Sequence, residues 1–70
     1  MQITINGQKR ASEAATLGEL WRTETQHLEV PGPRGFAIAL NGKVVRKDDW
    51  ARTPIAEGDR IEIIRALPGG

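Results

Sequence analysis

The last ten residues, IEIIRALPGG, run an apolar strand into Pro68, Gly69 and Gly70. The group on offer there is a carboxylate. Its ordinary pKa is about 3.3–3.7, so at neutral pH it is ionised and a poor acyl donor. It becomes reactive when one oxygen is turned into a leaving group, as in an acyl-adenylate made from ATP, which a sulfur nucleophile can then displace. Gly69 and Gly70 carry no Cβ, so their backbone can thread a channel that any side chain would block. Pro68 holds its own φ near −65° and biases Leu67 towards an extended conformation. At ~3.3–3.6 Å per residue, Leu67 to Gly70 reach about 13–14 Å, a length suited to delivering an end group into another protein's buried site. A diglycine alone also reads as a frayed end of small residues. Its weight comes from standing directly after the final strand of a small sheet domain.

Other chemistry in the chain is thin. There is no cysteine, hence no disulfide, thiolate metal site or cysteine nucleophile. His27, the single histidine, falls at a helix end, where bonding to terminal carbonyls fits better than a role as base. Asp48-Asp49 has no histidine beside it in sequence and reads as solvated charge or N-terminal capping rather than a metal or acid–base pair. No phosphate-cradling glycine motif and no G-x-S-x-G occurs. The chain is expected to catalyse nothing alone, to bind no metal and no cofactor, and to depend on partners for both ATP and sulfur.

Seventy residues make one domain with a thin core, since a chain this short buries only about 60% of its unfolded surface. Ten basic and nine acidic residues leave a net charge of +1 with no basic block, which argues against nucleic acid. The start, MQITINGQKR, has no signal-peptide pattern, and no apolar run nears the ~20 residues of a membrane span. No membrane association and a cytoplasmic location are expected.

The elements that must position the terminus follow from local signals. QITIN alternates, with Ile3 and Ile5 on one face, and Asn6-Gly7 marks a tight hairpin into QKRAS. Thr16 and Glu19 form a capping box before an apolar helical face of Leu17, Leu20 and Trp21. Gly18 weakens that first turn, and VPGPRG ends the helix. FAIALNGKVV reads as a second hairpin around Asn41-Gly42, and RKDDWARTP as a short helical turn or loop with Trp50 at the core edge. Residues 57–59 turn tightly into the last strand, RIEIIRAL. Two hairpins around one helix, with the last strand central, predict an α+β, ubiquitin-like β-grasp. Its sheet is mixed, with four to five strands, and the helix packs on one face. The domain is expected over 1–66 and an extended, flexible tail over 67–70. Inward positions are Ile3, Ile5, Leu17, Leu20, Trp21, Ile38, Leu40, Ile61 and Ile63.

Inward Ile61 and Ile63 leave Glu62, Ile64 and Ala66 on the uncovered face, beside Ala37 and Ala39 of the neighbouring hairpin. A flat apolar patch of this kind often marks a partner surface. Scattered exposed alanines are equally ordinary, and pattern alone leaves both readings open.

The whole chain resembles the ThiS family of sulfur carriers in thiamine thiazole synthesis. The likeness rests on MQITINGQ, AIALNGKVV, Trp50 after the polar turn, EGDRIEII and the final GG. It implies that a ThiF-like adenylyltransferase adenylates Gly70 with ATP. A sulfur donor such as a cysteine desulfurase then supplies the sulfur of a terminal thiocarboxylate, and a ThiG-like thiazole synthase accepts it. By the family pattern Gly70 carries the acyl group, and Gly69, Pro68 and Leu67 form the access tail. Ile64, Ala66, Ala37 and Ala39 match the face that docks on the activating enzyme. Arg46-Lys47 stands where members often have Pro-Arg, and proline before the diglycine is less usual. Alternatives are a MoaD-like carrier feeding molybdopterin or cysteine synthesis, a ubiquitin-like modifier joined through Gly70 to lysines, and a β-grasp binding module with an idle tail. A free chain is expected to be a monomer, because the one candidate patch is needed for partners.

Overall fold

Asn6-Gly7 and Asn41-Gly42 each take positive φ at both residues: 48° and 83° in the first turn, 51° and 88° in the second. Mirror-image turns of this kind match the twist of antiparallel strands, so each dipeptide closes a hairpin. The computed structural model describes residues 1–30 and 32–65. The first hairpin joins β1 (Gln2–Ile5) to β2 (Gln8–Ala11). The second joins β3 (Phe36–Leu40) to β4 (Lys43–Val45). Between them lies α1 (Leu17–Thr25), and after β4 come a 3-10 helix (Lys47–Arg52) and β5 (Arg60–Arg65).

The five strands form one mixed sheet in the order β2-β1-β5-β3-β4. β5 is central as expected, parallel to β1 and antiparallel to β3. This is the β-grasp arrangement with one main helix. The expected tail over 67–70, and Ala66 before it, lie outside the described residues.

The helix starts where the sequence places it. Thr16 Oγ1 accepts from Glu19 N at 3.2 Å, and Glu19 Oε2 accepts in return from Thr16 N at 3.2 Å and Ala15 N at 2.8 Å. Backbone donors left over at a helix start are thereby satisfied. At the other end Thr25 Oγ1 donates to Trp21 O at 2.7 Å. His27 lies exposed beyond that end. Among the described residues its ring bonds no helix carbonyl, contrary to expectation. Arg10 on β2 makes a two-point ion pair with Glu24 on α1, with Nη2···Oε2 at 2.8 Å. The Glu24 carboxylate raises the Arg10 pKa through that hydrogen bond and through its charge. An exposed pair of this kind contributes at most about 1 kcal/mol.

The core lies between α1 and one sheet face: Ile3, Ile5, Leu17, Leu20, Phe36, Ile38, Trp50, Ile55 and Ile61. Trp21, Leu40 and Ile63, expected inside, are only partly buried and pack against that cluster. Phe36 and Ile55 are also buried, although the inward set read from sequence did not include them. Trp50 is not at the core edge but within it, 4% exposed, with Nε1 donating to Val45 O at 2.9 Å. Trp21 meets Phe36 edge-on, centroids 5.5 Å apart, and lies 6.1 Å from Trp50. The segment after the 3-10 helix pairs with the entry to α1 through Leu17 N to Thr53 O (3.0 Å) and Ile55 N to Ala15 O (3.1 Å). That pairing carries Ile55 into the core.

Gly18 has a packing reason that outweighs its poor helix propensity. A Cβ there would stand 3.3 Å from Ala51 Cα and 3.5 Å from the Trp50 carbonyl carbon, both backbone atoms of the 3-10 helix. Gly18→Val is therefore expected to destabilise the fold by about 1–3 kcal/mol through overpacking. Urea unfolding monitored by tryptophan fluorescence tests this, and an unchanged or raised midpoint would refute the close-approach argument.

Candidate functional site

The face of the sheet away from α1 follows from strand alternation. With Ile61 and Ile63 turned to the helix, β5 presents Arg60, Glu62 and Ile64 on the other side, and β3 presents Ala37 and Ala39. Ile64 stands opposite Ala37, and Glu62 opposite Ala39. Ala39 in turn stands opposite Val44 of β4. Ile64 is 51% exposed and Val44 76%, while Ala37 and Ala39 are half-buried between their neighbours. Three of the four residues read from sequence as a partner face are thus brought side by side. The fourth, Ala66, lies outside the described residues, as do Leu67, Pro68, Gly69 and Gly70.

Val44 belongs to the same patch and was missed. Its signal was present: a two-residue Asn-Gly loop sets Leu40 opposite Lys43, which puts Val44 opposite Ala39 on the outward face. The patch is small, flat and apolar around one carboxylate, Glu62. Such a surface can exclude water against a complementary protein.

The patch sits beside the exit of the chain. β5 is held by β3 up to Arg65, which faces Phe36 and places its guanidinium carbon 5.6 Å from that ring's centroid. A protein docked over Ile64 therefore lies within a few residues of the segment 66–70. Elsewhere the surface offers little chemistry. Asp48 and Asp49 lie in the first turn of the 3-10 helix, which has no side-chain cap, and Asp49 pairs with Arg52 at 2.9 Å, so of the two roles expected of them the structure shows surface charge and not capping. Among the described residues no three His, Asp or Glu side chains gather into a metal site. No helix there is long and apolar enough to cross a membrane.

The ThiS family model matches residues 2–70. The chain belongs to the ThiS family. It is 31% identical over 71 residues to the sulfur carrier protein ThiS of Escherichia coli K12, with both chains covered completely. The crystal structure of a thiamine biosynthesis protein (ThiS) from Geobacter metallireducens superposes with a TM-score of 0.73 at 26% identity, again over all of both chains. A solution structure of a thiamine biosynthesis protein from the same organism gives a TM-score of 0.70 at 26% identity, over all of this chain and 88% of the other. Membership of this family implies partner enzymes.

Proposed function

We propose that this chain is a sulfur carrier of thiamine synthesis, with the Gly70 carboxylate as its carrier group. The observation that carries the reading is the apolar row Ala37, Ala39, Val44 and Ile64 on the open sheet face, next to the strand that leads into the diglycine. Family membership supports it.

A ThiF-like adenylyltransferase docks on the open face. A Gly70 carboxylate oxygen attacks the α-phosphorus of ATP, and pyrophosphate leaves. The resulting acyl-adenylate takes a sulfur nucleophile at its carbonyl carbon, and AMP departs. Where the sulfur arrives as a persulfide from a donor such as a cysteine desulfurase, a thiol must then cleave the S–S bond to free the thiocarboxylate. A ThiG-like thiazole synthase accepts the sulfur and returns the carboxylate. The chain supplies a docking surface and a reach of about 13–14 Å from Leu67 to Gly70, and its partners supply ATP and thiols. It contributes no catalytic side chain, and when free it is a monomer that keeps the open face for these partners.

Intact mass measurement of the chain from cells tests the reading. A species about 16 Da heavier, sulfur in place of oxygen, is expected, and alkylation should add one alkyl group to it through the thiocarboxylate sulfur, since the chain has no cysteine to compete. A chain recovered only in isopeptide linkage to lysines would replace the carrier reading with that of a protein modifier.

A further inference from the structure

We propose that Asn6 is a positioning residue for the carrier tail: its side-chain amide grips the backbone of Ile63 and so sets the direction in which β5 delivers residues 64–70. The inference rests on the carrier reading.

β1 holds β5 through its own backbone only as far as Ile61, with Thr4 N donating to Asp59 O and Asn6 N to Ile61 O, both at 2.9 Å. There the chain turns away into Gly7. The side chain of Asn6 carries the pairing two residues further. Its Oδ1 accepts from Ile63 N at 2.8 Å, and its Nδ2 donates to Ile63 O at 3.3 Å. Both backbone groups of one residue are thereby engaged, as a paired strand residue would engage them. From the other side β3 holds β5 to Arg65. Among the described residues, Ile63 is the last point at which the central strand is fixed from both sides.

The turn itself does not need this amide. It needs positive φ, which glycine supplies as well. Asn6 is exposed, so packing does not explain it either. The second hairpin provides an internal comparison. Asn41, also at positive φ, accepts from Arg60 N through Oδ1 at 2.9 Å and donates from Nδ2 to Asp59 Oδ1 at 3.1 Å. The two asparagines clamp opposite ends of β5, and only the Asn6 clamp lies at the end that leads into the tail.

The test uses the full chain with a ThiF-like adenylyltransferase and ATP, following pyrophosphate release. Asn6→Gly keeps the turn and removes both bonds to Ile63. Its kcat is expected to fall roughly tenfold, since small misplacement of a reacting group is costly. KM should stay within about twofold, because the docking face is intact. Hydrogen exchange at the Ile63 amide should accelerate. Asn41→Gly loses similar bonds at the far end and should lower Tm comparably while keeping wild-type kcat. Asn6→Asp, which keeps the acceptor and loses the donor, should fall between Asn6→Gly and wild type. Wild-type kcat in Asn6→Gly, or an equal loss in Asn41→Gly, overturns the inference while the carrier reading stands. A wild-type chain that releases no pyrophosphate overturns both.

Discussion

Gly70→Val is expected to lower sulfur uptake by at least ~100-fold while leaving the urea midpoint unchanged. The argument is steric. The proposed reaction brings the terminal carboxylate to the α-phosphorus of ATP inside a partner, and attack at the same carbon follows. A β-branched side chain next to that carbon widens the end of the chain and shields the carbonyl, where glycine presents backbone alone. A misplacement near 1 Å can cost about 10²-fold in rate, or roughly 2.7 kcal/mol of barrier. None of the buried core residues, which run from Ile3 to Ile61, is altered. Mass measurement after incubation with the activating enzyme, ATP and a sulfur source reads the outcome directly. Uptake at the wild-type rate would mean that the terminus is not the carrier group.

Ile64→Glu should weaken binding to the activating enzyme about 100-fold and change stability by no more than about 0.5 kcal/mol. Ile64 is already 51% exposed in the free chain, so folding gains little from it. Burial against a partner would gain part of the ~1.5–3 kcal/mol that an isoleucine contributes. A glutamate forfeits that and adds a carboxylate beside Glu62, two residues away on the same face, and the partner must then desolvate both. Val44→Glu, two strands away from Ile64 on β4, should cost a smaller factor of about ten. Calorimetric titration separates the cases. If both variants bind like wild type, the open face is not the docking surface, and the half-buried alanines beside them are the ordinary surface residues that pattern alone also allowed.

Ile64 and Val44 also mark how far sequence patterns reach. Ile64 could be assigned a face because β5 alternates cleanly around Ile61 and Ile63. Val44 sits in a three-residue strand too short to alternate visibly, and its face follows only from the register that the Asn41-Gly42 turn imposes against Ala39. Asn6 was legible as a turn residue from its neighbour Gly7. Its grip on Ile63 spans 57 positions of sequence and leaves no local trace.

What residue order alone established was the local physics. Asn-Gly turns, the Thr16–Glu19 capping box and period-two alternation each depend on neighbours a few positions apart, so both hairpins and the helix could be read before any folding was considered. What required the folded chain was everything set by distant closure. Ile55 enters the core because residues 53–55 pair with 15–17, and Gly18 lies in a close approach because the 3-10 helix backbone comes to 3.3 Å from where a Cβ would stand. Patterns along a chain report which face a residue takes; only the meeting of segments far apart in sequence fixes what that face touches.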